Sequence, residues 1–201
     1  MAKGMCAQNI VTLTAEALVE TAQKATQNSP APVHLWDPPF CGDLDMRVAR
    51  DGTWFYQGTP INREGMVKLF SSILKKEDKG FFLVTPVEKV GITVDDVPFV
   101  AVDFSVRNAG PKQEIVFSTN VGDETIAGPD APIRVTFDAR SGEPSPYVMV
   151  RNGLEALIDR KSFYRLVDIC ETKRHDGADW FGVRSRDAFF PIIPSDELAQ
   201  D

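Results

Sequence analysis

Apolar residues recur along this chain at two alternating spacings, helical and strand-like, which together predict an α+β fold. Residues 14–25 put Leu18, Ala22 and Ala25 on one side of a helix. Glu16 and Glu20 come early in it, where acidic groups suit the positive helix end. Asn28, Ser29, Pro30, Ala31 and Pro32 break that pattern and predict a linker. From Leu44 the period falls to two: Leu44, Met46 and Val48 alternate with Asp45, Arg47 and Ala49. Asp51-Gly52 supplies a hairpin turn, and residues 54–56 return. Asn62 then reads as an N-cap for a helix carrying Met66, Leu69, Phe70, Ile73 and Leu74 inward, with Gly80 ending it.

Strands and turns fill the middle. Val100, Val102, Phe104 and Val106 alternate with polar neighbours and predict a half-buried strand, followed by a turn at 108–111 and a strand at 114–119. Residues 128–132, Gly-Pro-Asp-Ala-Pro, look like a boundary loop. Beyond it come strands at 133–137 and 147–151 and a hairpin signal at Asn152-Gly153. A helix with Phe163, Leu166, Val167 and Cys170 inward follows, then aromatic strands around Trp180 and Phe189.

The two later helices align without a gap. Ile61-Asn62-Arg63 matches Ile158-Asp159-Arg160 at a spacing of 97 residues, and Gly80 matches Gly177 at the same spacing. Met66, Lys68, Leu69 and Phe70 match Phe163, Arg165, Leu166 and Val167 in chemical type. Any two amphipathic helices look somewhat alike, but here hairpin, cap, helix, glycine and aromatic strand recur in one order. The expectation is a duplicated pair of β-rich subdomains, each with a helix packed on an antiparallel sheet. The division reads 1–33 for the N-terminal helix and linker, 34–98 for the first repeat, and 99–195 for the central strands and second repeat. A cleft between two such halves is a frequent place for a ligand.

Composition narrows the function classes. Of 201 residues 43% are hydrophobic and 25% charged, enough to bury a core without metals or disulfides. No apolar run approaches a membrane span, and the first residues do not resemble a signal peptide, so the cytoplasm is expected. The net charge of −7, with basic residues interleaved among acidic ones, disfavours nucleic acid. Three scattered cysteines argue against a disulfide framework and a zinc site. No phosphate-binding or dinucleotide fingerprint is present, and two histidines supply metal clusters and triads poorly, so no cofactor is expected. Cys41 near His34 could form a nucleophile and base, although a cysteine at a turn is the simpler reading.

One segment resists a purely structural reading. Asp43, Arg47, Trp54, Tyr56 and Arg63 fall close together on one hairpin and the helix start behind it. Arginine with aromatic rings can clamp and stack a planar anion. The alternative is that Trp54 and Tyr56 fill the core and the arginines face solvent. Arg184 and Arg186 could reach a cleft from the second half, or simply charge a strand edge.

Residues 38–54, running Pro-Pro-Phe-Cys-Gly-Asp-Leu-Asp-Met-Arg-Val-Ala-Arg-Asp-Gly-Thr-Trp, resemble the signature of an uncharacterised bacterial family, domain of unknown function 1285. So do Gly58-Thr59-Pro60-Ile61, residues 69–74 and residues 83–90. The resemblance implies a duplicated core whose second half is superficially like pleckstrin-homology domains. It also implies a site for a nucleotide-like molecule at the domain interface and a role in signal transduction. The second half lacks the Cys-Gly-Asp and Asp-Gly-Thr-Trp motifs, so the first should supply most of any site.

The leading expectation is a non-catalytic module that binds or senses a small, nucleotide-like anion at a site between the two repeated halves. In it Arg47, Arg63 and Lys89 would neutralise the anion, Trp54 or Tyr56 would stack, and Asp43 would accept hydrogen bonds. The alternatives are a protein-interaction scaffold, in which exposed sheet edges or the second half bind a partner and the N-terminal helix could also dock, and a hydrolase using Asp43 and a bound metal.

Overall fold

The computed structural model describes residues 14–26 and 31–196. The expected linker at 28–30, Cys6 and the chain start lie outside the described residues, as do the side chains of Glu16 and Ala25. The chain divides into two compact units, Met1–Pro98 and Phe99–Asp201.

The first unit opens with α1 (Ala15–Thr26) and a short 3₁₀ turn at Val33–Leu35. There follow β1 (Phe40–Val48), β2 (Trp54–Tyr56), β3 (Thr59–Pro60), α2 (Glu64–Ser72), β4 (Leu74–Glu77), β5 (Gly80–Val84) and β6 (Lys89–Val94). The six strands form one sheet in the order β3-β2-β1-β6-β5-β4, antiparallel except where β1 meets β6. Its helix side is apolar because strand alternation delivers Leu44, Met46 and Val48 there and sends Asp43, Asp45 and Arg47 to the other side. Trp54, opposite Val48, stacks on Phe70 of α2 with centroids 6.2 Å apart. Ala15, Leu18 and Ala22 of α1 are buried, and the Ala15 amide donates to Tyr56 Oη at 3.4 Å. These three residues of α1 are thus already covered.

Two expectations change here. The helix does not run on to Gly80: it stops at Ser72, and Leu74–Glu77 become β4, paired with β5. Ile73 and Leu74 continue a helical apolar spacing, yet the tight turn at 78–79 closes a hairpin instead. It ends on Gly80 with φ 136°, a region open mainly to glycine. The lysines of this edge strand discourage further pairing. The cap of α2 is Arg63 rather than Asn62, and it makes no side-chain cap bond.

The second unit contains β7 (Phe99–Arg107), β8 (Glu114–Thr119), β9 (Glu124–Ile126), β10 (Ile133–Phe137), β11 (Pro144–Arg151) and β12 (Leu154–Ile158). After them come α3 (Arg160–Val167), β13 (Glu171–His175), β14 (Ala178–Ser185) and β15 (Ala188–Pro194). The first six strands form a sheet ordered β10-β11-β12-β7-β8-β9; the last three form their own antiparallel sheet. Ser185 ties the two together: its Oγ accepts from the Ile115 amide at 2.9 Å and donates to the Ala127 carbonyl at 2.7 Å.

Three details correct the sequence pattern. β7 carries a register shift between Ala101 and Asp103 and does not alternate as expected: Val100 and Phe104 are buried while Val102 and Val106 are exposed. Residues 128–132 bound no unit; Gly128 bridges Ala131 between two strands of one sheet. Cys170 lies beyond the end of α3, half-buried, and burial pushes its thiol up to about 12.

Written from matching ends, both six-stranded sheets place the third, second, first, sixth, fifth and fourth strand side by side, with a parallel pair at the centre. The helices do not follow that correspondence: α2 precedes the fourth strand of its sheet, whereas α3 follows the sixth. The cap of α3 is the stronger one, since Asp159 accepts from the Ser162 amide at 2.7 Å. Asp159→Ala is expected to cost about 1 kcal/mol in a denaturant titration; an unchanged midpoint would show that the cap contributes nothing.

Candidate functional site

The densest group of charged and aromatic side chains predicted from sequence lies on the face of the first sheet turned away from α2. Its floor is the parallel seam of β1 and β6, where Phe40 sits opposite Lys89, Asp43 opposite Gly91 and Arg47 opposite Thr93. Between Phe40 and Arg47 β1 spends more residues than β6 does over the same span. The excess is taken up by two irregularities, with Gly42 at φ 109°.

Two cations mark the ends of this seam. At one end the Arg47 guanidinium lies 4.9 Å from the centre of the Phe55 ring, and its Nη1 donates to Asp95 Oδ2 at 2.7 Å. At the other the Lys89 ammonium lies 5.1 Å from the Phe82 ring and donates to Glu77 Oε2 at 3.1 Å. That hydrogen bond outweighs burial and holds the Glu77 carboxyl below its ordinary value. Lys89 to Thr93, the partner of Arg47, is four residues of β6, or roughly 13 Å at the rise of a strand. Between the cations the Asp43 carboxylate lies over Gly91, where a β-carbon would collide with it. Phe40 meets Phe82 edge to face at 6.1 Å and keeps 52% of its surface exposed.

Of the residues expected to form a site, Asp43, Arg47 and Lys89 share this face. Trp54 does not. It is 1% exposed, stacked on Phe70, and cannot meet a ligand; one strand step separates it from Phe55, which lies on the side of Arg47. Tyr56 pairs with buried Met46 and turns its hydroxyl to α1, so it too leaves the constellation. Arg63 is exposed at the start of α2. Arg184 and Arg186 belong to the second unit, where Arg184 meets Glu171 at 3.4 Å and Arg186 Nε meets Glu114 at 3.2 Å. Phe55, Phe82, Phe40, Glu77 and Asp95 were not anticipated. The period of two could have found Phe55, since it lies between two inward residues. Phe82 and Glu77 depend on long-range pairing that no local pattern encodes.

Other chemistry finds less support. Cys41 is disulfide-bonded, which leaves no free thiol there for His34. Among the described residues no three His, Cys, Asp or Glu side chains are grouped to hold a metal ion. An open hollow of about 620 Å³ at the β7–β8 turn is lined by Asn108, Ala109, Pro111 and Lys112. Among the described residues no helix is long and apolar enough to cross a membrane.

Comparison with known proteins gives a consistent picture. Two family models match in succession: the N-terminal domain of DUF1285, a domain of unknown function, over residues 31–97, and its C-terminal domain over 98–192. The crystal structure of a DUF1285 family protein from Silicibacter pomeroyi DSS-3 is 61% identical, with a TM-score of 0.82 over 91% of this chain and 98% of that one. A second, from Shewanella baltica OS155, is 30% identical over 62% of this chain and 91% of that one, with a TM-score of 0.48. No curated protein matches.

Proposed function

The chain belongs to the DUF1285 family, and from that premise we propose that it is a non-catalytic module that binds a small, nucleotide-like anion and serves as a sensor in signal transduction. The observation that carries this reading is the outer face of the first sheet, with two basic side chains each laid over an aromatic ring and a carboxylate between them. A phosphate group at Arg47 gains charge-assisted hydrogen bonds. A base stacks on the exposed ring of Phe40, near Lys89. Hydroxyls in between donate to Asp43. The seam's length suits an extended nucleotide.

We also read the two units as copies of one ancestral element. Support comes from the shared strand order of the two six-stranded sheets, in which β7–β12 answer to β1–β6. A second functional reading, an interaction scaffold, draws on the exposed Phe40 and Val87 near one end of the seam.

A thermal-shift screen of adenine and guanine nucleotides tests the binding reading. A ligand at 100 times its dissociation constant stabilises the folded state by about 2.7 kcal/mol. For a chain of this length that amounts to a rise of roughly 5 °C or more. Arg47→Ala should remove most of the rise. No rise with any nucleotide, or one indifferent to Arg47→Ala, would count against the site.

A further inference from the structure

An anion at Arg47 would compete with a partner that the guanidinium already holds. In the structure its guanidinium holds Asp95, and three positions on, Arg50 Nε lies 3.3 Å from Asp96 Oδ2. Asp95 and Asp96 follow β6 directly and, with Val97 and Pro98, end the first unit. The Asp95 amide donates to the Val48 carbonyl at 3.0 Å, and Val97 is buried. Pro98 has no amide with which to extend the ladder. These contacts therefore fix the last residues of the unit before the chain enters β7.

We propose that residues 95–98 form a clamp that an anion at Arg47 opens: the anion takes the guanidinium, Asp95 is released, and the segment leading to β7 loosens. The clamp rests on the reading of the outer face as an anion site and supplies that site with its regulation. Arg47 and Asp95 side chains are 48% and 34% exposed, so a solute reaches both. Ion pairs this exposed are held weakly, and a phosphate competes for the same fork of donors with more charge than a carboxylate. Coupling between the two events is reciprocal. By whatever factor the anion favours release of Asp95, removal of the Asp95 charge favours the anion.

The test uses the full chain at low ionic strength, where exposed charges are least screened, with inorganic pyrophosphate as probe. Amide exchange at residues 95–97 and pyrophosphate affinity are measured for the unaltered protein and for Asp95→Asn, which keeps the side-chain shape. Pyrophosphate is expected to speed exchange at 95–97 several-fold in the unaltered protein. Asp95→Asn should exchange fast without it and bind it roughly two- to five-fold tighter, the weight of one exposed ion pair. Binding with unchanged exchange overturns the clamp and leaves the anion site standing. Ligand-free exchange in Asp95→Asn equal to that of the unaltered protein overturns the clamp as well. No binding by either protein overturns the anion site and the clamp together.

Discussion

Replacing Trp54 by alanine should destabilise the protein by about 3–5 kcal/mol, the range for removing a large aromatic from a packed core. The ring is 1% exposed, opposes Val48 on β1 and stacks on Phe70 of α2. Its Nε1 is buried and finds no hydrogen-bond partner among the described residues. No lost hydrogen bond therefore enters the cost, which is transfer and cavity alone. A denaturant titration measures it. Under conditions where the variant remains folded, nucleotide affinity should stay within about three-fold, because Trp54 and Arg47 lie on opposite faces of the sheet. A small stability loss combined with a large affinity loss would put the indole back in the site.

A comparably large effect is expected from Gly182→Ala in the second unit. A β-carbon there would strike the Phe190 carbonyl oxygen and lie 2.8 Å from Phe189 Cζ and 3.0 Å from Pro191 Cα. Two of these three atoms are backbone of the paired strand β15, at the point where its register with β14 slips. A side chain could turn away; a strand cannot do so without giving up its ladder. The expected cost is about 3 kcal/mol, the upper end of the usual range for overpacking. It should appear as a lowered denaturation midpoint and faster amide exchange in β14 and β15. A wild-type midpoint would mean that the strands separate there at no cost.

Local patterns revealed the elements whose causes are local. The alternation in β1 was legible because one face is buried and the other charged, so each residue's side follows from its parity. Asp159 was legible as the start of a helix because its carboxylate caps the Ser162 amide. The end of α2 was hidden, because Ile73 and Leu74 satisfy helical and strand spacing alike. The bulge after Ala101 was hidden too, since an extra residue changes parity without changing composition. Least visible was the parallel pairing of β1 with β6, whose partners are nearly fifty residues apart in the chain.

The candidate site divides in the same way. Asp43 and Arg47, grouped from the sequence, share a face of one strand. Trp54 was grouped with them on sequence proximity, which a sheet disregards: adjacent residues of a strand point to opposite sides. The rings beneath the two cations, Phe55 and Phe82, come from β2 and β5, and only the assembled register brings them to Arg47 and Lys89.

The most direct measurement is a nuclear magnetic resonance titration of the labelled protein with ATP at low salt. Saturable shifts confined to Phe40, Asp43, Arg47, Phe55, Lys89, Gly91 and Thr93, and lost in Arg47→Ala, are the predicted result. Saturable shifts that avoid these positions, or none at all, would contradict the assignment of this face as the ligand's seat.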